Sequence, residues 1–302
     1  MEPHIVRSTA GDDPRIRIVA NPDLPAGWFG KQWACETGAQ IARGQVLVFT
    51  DADTEHAPDL LGRVINAMRA RRAEMLTLAG NQEMHTFWER VIQPQLFALL
   101  SLRYGGTEHV SNSKRPADVI ANGQFIAVNR EAYDAIGGHA LVRDRVAEDM
   151  SMAQEFVRRG RRIALLIATN QFSTRMYSSL DAIVRGWRKN IYAGGRHAAL
   201  GGNVGQALFP VVLLATPIIG LVPPIALVLA LAGVLSSAWL VWSLVIVAIT
   251  VAFWGAIYVF MRAPVFYALL YPLGLAMLFY IAIGAVARGK SVEWKDRKYE
   301  AA

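Results

Sequence analysis

The chain is poor in cysteine and, over long stretches, in charge. Cys35 is the only cysteine among 302 residues, so an internal disulfide and any cysteine-based zinc site are excluded. That fits a reducing compartment. No Asp, Glu, Lys or Arg occurs between residues 198 and 261, and after the single Arg262 a second uncharged run covers residues 263–287. Globular domains carry about a quarter charged residues, so runs of this length read as membrane-embedded. The six histidines (His4, His56, His85, His109, His139, His197) show no metal-ligand spacing and read as ordinary. Residues 1–13 lack the apolar core of a signal peptide. Internal repeats and low-complexity segments are also missing.

What is present divides the chain into three: residues 1–200 as an α/β domain, 204–287 as a transmembrane region, and 288–302 as a basic tail. The formal net charge is +7. A basic excess raises nucleic acid as a partner, but no zinc-finger spacing, basic heptad or aromatic-basic signature accompanies it, and that partner is excluded. Beside membrane spans the excess reads as attraction to anionic headgroups.

Along the first part, Arg15–Val19 alternates basic and apolar residues as a strand would, and helical spacing follows over residues 31–43. Residues 45–50 form a continuous apolar run of the kind buried on both faces of a parallel sheet, with Asp51-Ala52-Asp53 at its carboxyl end. A helix is expected over residues 57–73, opened by Pro58, then a strand over residues 75–79. This alternation is α/β organisation, in which ligands bind at the carboxyl ends of strands. Residues 86–104 are unusually apolar and aromatic, fitting a buried helix or one lying in the membrane interface. A loop enters a strand over residues 117–128, and a helix preceded by an acidic pair covers residues 146–159.

Residues 237–260 and 264–287 are each about the ~20 residues that cross a bilayer. Residues 204–235 are long for one untilted span and short for two, with Pro223-Pro224 near the middle. A hairpin there gives four crossings, one kinked helix three. Four is the favoured count, because it returns the basic tail (Arg288, Lys290, Lys295, Arg297, Lys298) to the cytoplasmic side of the first domain.

Three stretches can carry chemistry. Asp51 and Asp53, at i and i+2 on a turn leaving a strand, can both address one divalent cation such as Mg²⁺ or Mn²⁺, which takes oxygen ligands. Such a cation neutralises a departing diphosphate. Alone the pattern is expected about once by chance in a chain of this size, and its place after a buried strand is what gives it weight. Glu148-Asp149 opens a helix, either complementing the helix dipole or supplying Asp149 as a general base toward an acceptor hydroxyl. In Val184-Arg185-Gly186-Trp187-Arg188-Lys189, Trp187 reads as an interfacial anchor or as a lid on the acceptor, with Arg185 or Arg188 meeting a diphosphate.

Taken together, these stretches resemble the family-2 glycosyltransferases of the GT-A fold, and most closely the membrane-bound hopanoid-associated and carotenoid types. The matching residues are Pro25 to Ala34, Val46 to Asp53, Asn122-Gly123-Gln124-Phe125, Ala135-Ile136-Gly137-Gly138, Glu148-Asp149, Arg185-Gly186-Trp187 and Val292 to Tyr299. The resemblance implies a GT-A domain followed by transmembrane helices, with the domain incomplete at its N-terminus because the family's opening strand and acidic turn are not matched. It implies Asp51 and Asp53 as the metal pair, Asp149 as the base, Lys31 near the nucleotide, and Trp187 in place of the family's Arg-Trp signature. Where the fuller signature is Gln-x-x-Arg-Trp, this chain has Arg185-Gly186-Trp187. The expected activity is inverting, metal-dependent transfer from a nucleotide-sugar donor to a membrane lipid. The expected place is the cell membrane, multi-pass, with a cytoplasmic catalytic domain. The competing expectations are a catalytically impaired scaffold and a transporter; the transporter is disfavoured because the spans carry no ionisable groups between residues 198 and 261.

Overall fold

The computed structural model describes residue 8 and residues 11–199, 202–288, 291–294 and 297–300. Its elements are, in order, α1 (Gly30–Ile41), β1 (Val46–Thr50), β2 (Thr54–His56), α2 (Leu60–Arg71), β3 (Met75–Ala79), β4 (Asn81–Gln82), α3 (Phe87–Tyr104) and α4 (Thr107–Asn112). They continue with β5 (Phe125–Asn129), α5 (Arg130–Ile136), α6 (Glu148–Arg158), β6 (Ile163–Ile167), β7 (Phe172–Thr174) and α7 (Leu180–Ala198). The last are α8 (Gly202–Leu231), α9 (Ser237–Phe260), α10 (Tyr271–Arg288), β8 (Ser291–Trp294) and β9 (Arg297–Glu300). The chain forms two compact units, Met1–Ala79 with Ser111–Phe172, and Gly80–Val110 with Ser173–Ala302. The division expected from composition, at residues 200–204, follows charge; the structural one follows packing, and it places residues 80–110 and 173–200 with the C-terminal helices.

The first unit is built on a four-stranded sheet in the order β1-β5-β3-β6. β5 runs antiparallel to both β1 and β3, while β3 and β6 are parallel. The sheet is therefore mixed, and β1 is not the doubly buried strand that its apolar run suggests. Among the described residues β1 lies at an edge, with Leu47 buried and Val48 38% exposed. The buried strands are β3 and β5, where Met75, Leu76, Phe125 and Val128 are shut off from solvent. Leu60, Val64 and Met68 of α2 form one core with Leu76, Leu78, Phe125 and Ala127. Each large side chain so buried contributes about 1.5–3 kcal/mol.

Two local expectations are corrected here. Residues 15–19 form no strand: Ile16, Ile18 and Val19 are each more than 40% exposed, and the alternating pattern finds no neighbour to pair with. The helix expected from residue 57 begins at Leu60, after Asp59, leaving Pro58 outside it.

In the second unit α3 is opened by a full capping box. The Thr86 hydroxyl accepts from the Glu89 N–H (3.4 Å), and Glu89 Oε2 accepts from the Thr86 N–H (2.5 Å). Glu89 is fully buried and also takes Arg175 Nε at 3.0 Å. The helix ends on Gly105 at φ 68°, a left-handed stop that glycine adopts without strain. The buried-helix expectation is met over part of this helix. Val91, Ile92 and Leu96 are core, while Phe87 and Leu102 stay 43% and 70% exposed. Gly274 of α10 lets α3 approach closely, since a Cβ there would sit 2.8 Å from the Val91 carbonyl oxygen.

Residues 202–231 make one continuous helix carrying Pro210, Pro217, Pro223 and Pro224, not a hairpin. Among the described residues three helices are thus long and apolar enough to cross a membrane: Gly202–Leu231, Ser237–Phe260 and Val265–Ala287. Among the described residues the fourth crossing, on which the expected side of the tail rested, has no helix of its own. Val211, Ile219, Val228, Val241, Ile249 and Val259 are each 62–68% exposed, an apolar surface that water does not favour and lipid does. In the tail, β8 and β9 pair antiparallel, whereas Lys290 and Lys295 lie outside the described residues.

Candidate active site

The site assembles in the first unit from three chain segments and one loop. β1 ends at Thr50 and hands over to the Asp51–Asp53 turn, which is fixed from below by backbone and hydroxyl bonds. The Asp51 N–H and the Thr50 hydroxyl both donate to the Gln124 carbonyl, at 3.2 and 3.0 Å. The Thr54 hydroxyl donates to the Asp51 carbonyl at 2.7 Å, and His56 Nε2 lies 3.1 Å from both threonine hydroxyls. Asp51 is half-buried and Asp53 stands exposed on the turn. Burial raises the Asp51 carboxyl, and Lys31 only partly offsets it.

Asn122 organises the loop before β5. Its N–H bonds to the Thr77 hydroxyl (2.8 Å), and its side-chain amide donates to the Leu78 carbonyl (2.8 Å). Gly123 is thereby held with its N–H on Asp149 Oδ2 at 2.7 Å. The other Asp149 oxygen, Oδ1, accepts from the Met150 N–H at 2.7 Å, in the first turn of α6. Burial, and after it the charge of Glu148, pushes the Asp149 carboxyl up to about 6, against the lowering effect of Lys31 and the two N–H groups. A carboxylate of this kind is positioned and moderately basic, which is what proton abstraction near neutral pH requires.

Lys31 enters from the first turn of α1. That turn is tied down by the Phe29 N–H to the Arg143 carbonyl (2.8 Å) and by the Gln32 amide to the Arg145 carbonyl (2.6 Å). The Lys31 ammonium lies 3.0 Å from Asp51 Oδ1, 3.0 Å from Glu148 Oε1 and 3.4 Å from the Gly123 carbonyl. Burial works to lower its pKa, but Glu148, Asp51 and Asp149 outweigh burial and hold it firmly charged. Lys31, Asp51 and Asp149 are thus brought together, with Glu148 and Gly123 completing the group. Burial pushes the nearby Cys35 thiol up to about 12, so it is protonated and unreactive at neutral pH.

The sequence of the chain matches the family described as "Glycosyl transferase family 2" over residues 2–137. That stretch is similar to a family-2 glycosyltransferase domain. A 4,4'-diaponeurosporenoate glycosyltransferase from Staphylococcus haemolyticus (strain JCSC1435) is 24% identical over 168 residues, which is 55% of this chain and 44% of that relative. The chain therefore matches less than half of the relative's length. The glycosyltransferase stretch contains Lys31, Asp51, Asp53 and Gly123, but ends before Glu148 and Asp149, whose assignment to the site rests on the distances above.

Arg185 and Trp187 belong to the second unit. Arg185 is exposed and ion-paired with Asp181 one turn earlier on α7. Trp187 is 5% exposed in that unit's core, edge-on to Phe97 at 5.7 Å and near Tyr177 at 6.3 Å. Among the described residues its indole N–H meets no acceptor. The buried position differs from an exposed anchor, and Gly186 explains the altered signature. A Cβ there would lie 2.3 Å from the Tyr177 hydroxyl, so the glycine makes room for that ring.

Sequence reasoning quoted Asn122-Gly123-Gln124-Phe125 without assigning it work. Gly123 is the residue whose N–H holds Asp149, and its only signal was glycine at a strand entrance. The reading of His139 as ordinary agrees with its environment: burial lowers it to about 4, and its Nδ1 meets the Tyr133 hydroxyl at 2.8 Å.

Proposed function

We propose that the chain transfers a sugar from a nucleoside-diphosphate donor to a hydroxyl group of a membrane lipid, with inversion at the anomeric carbon. The observation that carries this is the set Asp51, Glu148 and Asp149 gathered about Lys31 at the carboxyl end of β1 and the start of α6. In this reading Asp149 takes the proton from the acceptor oxygen as that oxygen bonds to the anomeric carbon. The bond from that carbon to the diphosphate oxygen breaks, and its electron pair leaves with the diphosphate. A single displacement needs one base and no second carboxylate nucleophile, which matches one positioned carboxylate with two N–H bonds.

The oxygen-only pair Asp51 and Asp53 fits a divalent cation of the Mg²⁺ or Mn²⁺ type. Among the described residues no group of three or more His, Cys, Asp or Glu surrounds a metal position, so diphosphate and water would complete the shell. When bound, the cation would neutralise charge on the leaving diphosphate. Lipid as acceptor is supported by the three apolar helices, and the relative is named for diaponeurosporenoate. A cytoplasmic catalytic domain in the cell membrane is supported by the basic residues Arg185, Arg188, Lys189 and Arg196 just before the first span.

The test is transfer of labelled sugar from UDP- and GDP-sugars to extracted membrane lipid by the full chain, with Mg²⁺ or Mn²⁺ present. Asp149→Asn should lower the rate about 10²–10⁴-fold while donor binding persists. Undiminished transfer by that variant refutes the assignment of the base, and an inability of the native chain to bind any sugar nucleotide favours the scaffold instead.

A further inference from the structure

The occupant of the acidic site is a side chain of the protein itself. Three oxygens from three separate segments, those of Asp51, Glu148 and the Gly123 backbone, converge on one Lys31 ammonium. This ammonium is bonded to Asp51 Oδ1, an oxygen of one of the two carboxylates that would hold a divalent ion. We propose that Lys31 is a resident counter-ion that holds the place of the divalent cation until the donor diphosphate draws it away, so that metal binds together with the donor rather than before it. This rests on the donor-site reading given above and adds an order of binding to it.

The geometry suits such an exchange. The Lys31 side chain is 42% exposed, so its stem is not locked in the core and can change rotamer toward an arriving ligand. An ammonium on a four-carbon stem is a compact charge without the fixed fork of a guanidinium, so it can trade carboxylate oxygens for phosphate oxygens. Its removal without replacement leaves three like charges, Asp51, Glu148 and Asp149, in one half-buried group, an arrangement that costs energy unless another cation enters. With the diphosphate present, the ammonium can follow the new anion while the metal takes Asp51.

The test measures Mn²⁺ binding to the full chain in detergent, by the electron paramagnetic resonance of free Mn²⁺, with and without UDP or GDP. Native protein should bind Mn²⁺ weakly alone and more tightly with one of the nucleotides. Lys31→Met should bind Mn²⁺ alone at least about tenfold more tightly, because a like charge beside the metal has been removed, and should gain less from nucleotide. Lys31→Arg keeps the charge and should stay weak, which separates the charge from a folding defect. Asp51→Asn reads the metal site itself and should lose Mn²⁺ binding in every condition. If Asp51→Asn abolishes binding while Lys31→Met leaves it unchanged or weaker, the counter-ion proposal is overturned and the donor site stands. If Asp51→Asn binds Mn²⁺ like the native chain, the donor-site reading fails and takes the proposal with it.

Discussion

Replacing Gly123 with alanine adds one methyl group at the point where the loop meets both the base and the lysine. The new Cβ would stand 2.9 Å from Asp149 Oδ2, 3.1 Å from Lys31 Nζ and 3.3 Å from Asp149 Cβ. Ordinary contact begins at 3.4 Å, so the carboxylate must retreat by about 0.5 Å. It cannot do so and keep the 2.7 Å bond from the Gly123 N–H. A bond to a charged group contributes about 1.5–3 kcal/mol, and misplacing a reacting group by 1 Å costs about 10²-fold. We expect transfer to fall about 10–100-fold, with the thermal midpoint little changed, because the clash is with the Asp149 and Lys31 side chains rather than with the backbone of the sheet. The pH profile gives an independent readout. The base acts when ionised, so kcat/KM of the native chain should rise with pH through about 6 and level off above it. An N–H bonded to the carboxylate stabilises the charged form, so losing it raises the pKa and moves this limb to higher pH. Rates measured across pH 5–8 with labelled donor check both effects. A Gly123→Ala enzyme with native rate and native pH limb refutes the assignment of Gly123 as the residue that positions Asp149.

Two further variants probe the second unit. Gly186→Ala should destabilise the chain by about 1–3 kcal/mol through overpacking against Tyr177, and combining it with Tyr177→Ala should recover part of the loss, as chemical denaturation in detergent would reveal. Glu89→Gln leaves the partly exposed Arg175 with a neutral partner beside a buried capping box and should cost about 1.5–3 kcal/mol. Burial alone would raise the Glu89 carboxyl, but the Thr86 N–H, Arg175 and the His85 N–H together lower it. Its contribution is therefore complete above the ordinary carboxylate range and is lost only as pH falls through the depressed value. The native chain should weaken on strong acidification, and the Glu89→Gln variant should show a smaller loss there. A thermal midpoint in Glu89→Gln equal to that of the native chain would count against this account.

Several elements were legible because their determinants are local. The spacing of Leu60, Val64 and Met68 writes α2, and long runs of uncharged apolar residues write the three long apolar helices among the described residues. Glu148 and Asp149 fall at a helix start as their charge suggests. Misreadings arose where a neighbour decides the outcome. Val46–Thr50 is as apolar as a central strand, yet whether it is central depends on what lies on its far side, and β5 intervenes between it and β3. Ile16 and Ile18 alternate with arginines, but alternation forms a strand only if an edge is there to receive it. Two adjacent prolines suggested a break in residues 204–235; a helix whose polar groups can be satisfied internally or by close neighbours tolerates them.

The sequence alone determined the α/β character, the apolar helices and the order of the acidic and basic residues, because hydropathy, periodicity and turn chemistry act over a few residues at a time. It could not determine that Lys31 lies between Asp51 and Glu148, or that Gly123 carries the hydrogen bond that aims Asp149. These residues are separated by up to 118 positions along the chain. Only the pairing of β5 with β1 and the docking of α1 against the 143–145 segment bring them within 3–4 Å. Electrostatics at that range changes which group holds a proton and which cation occupies the site, so the chemistry was decided by tertiary structure.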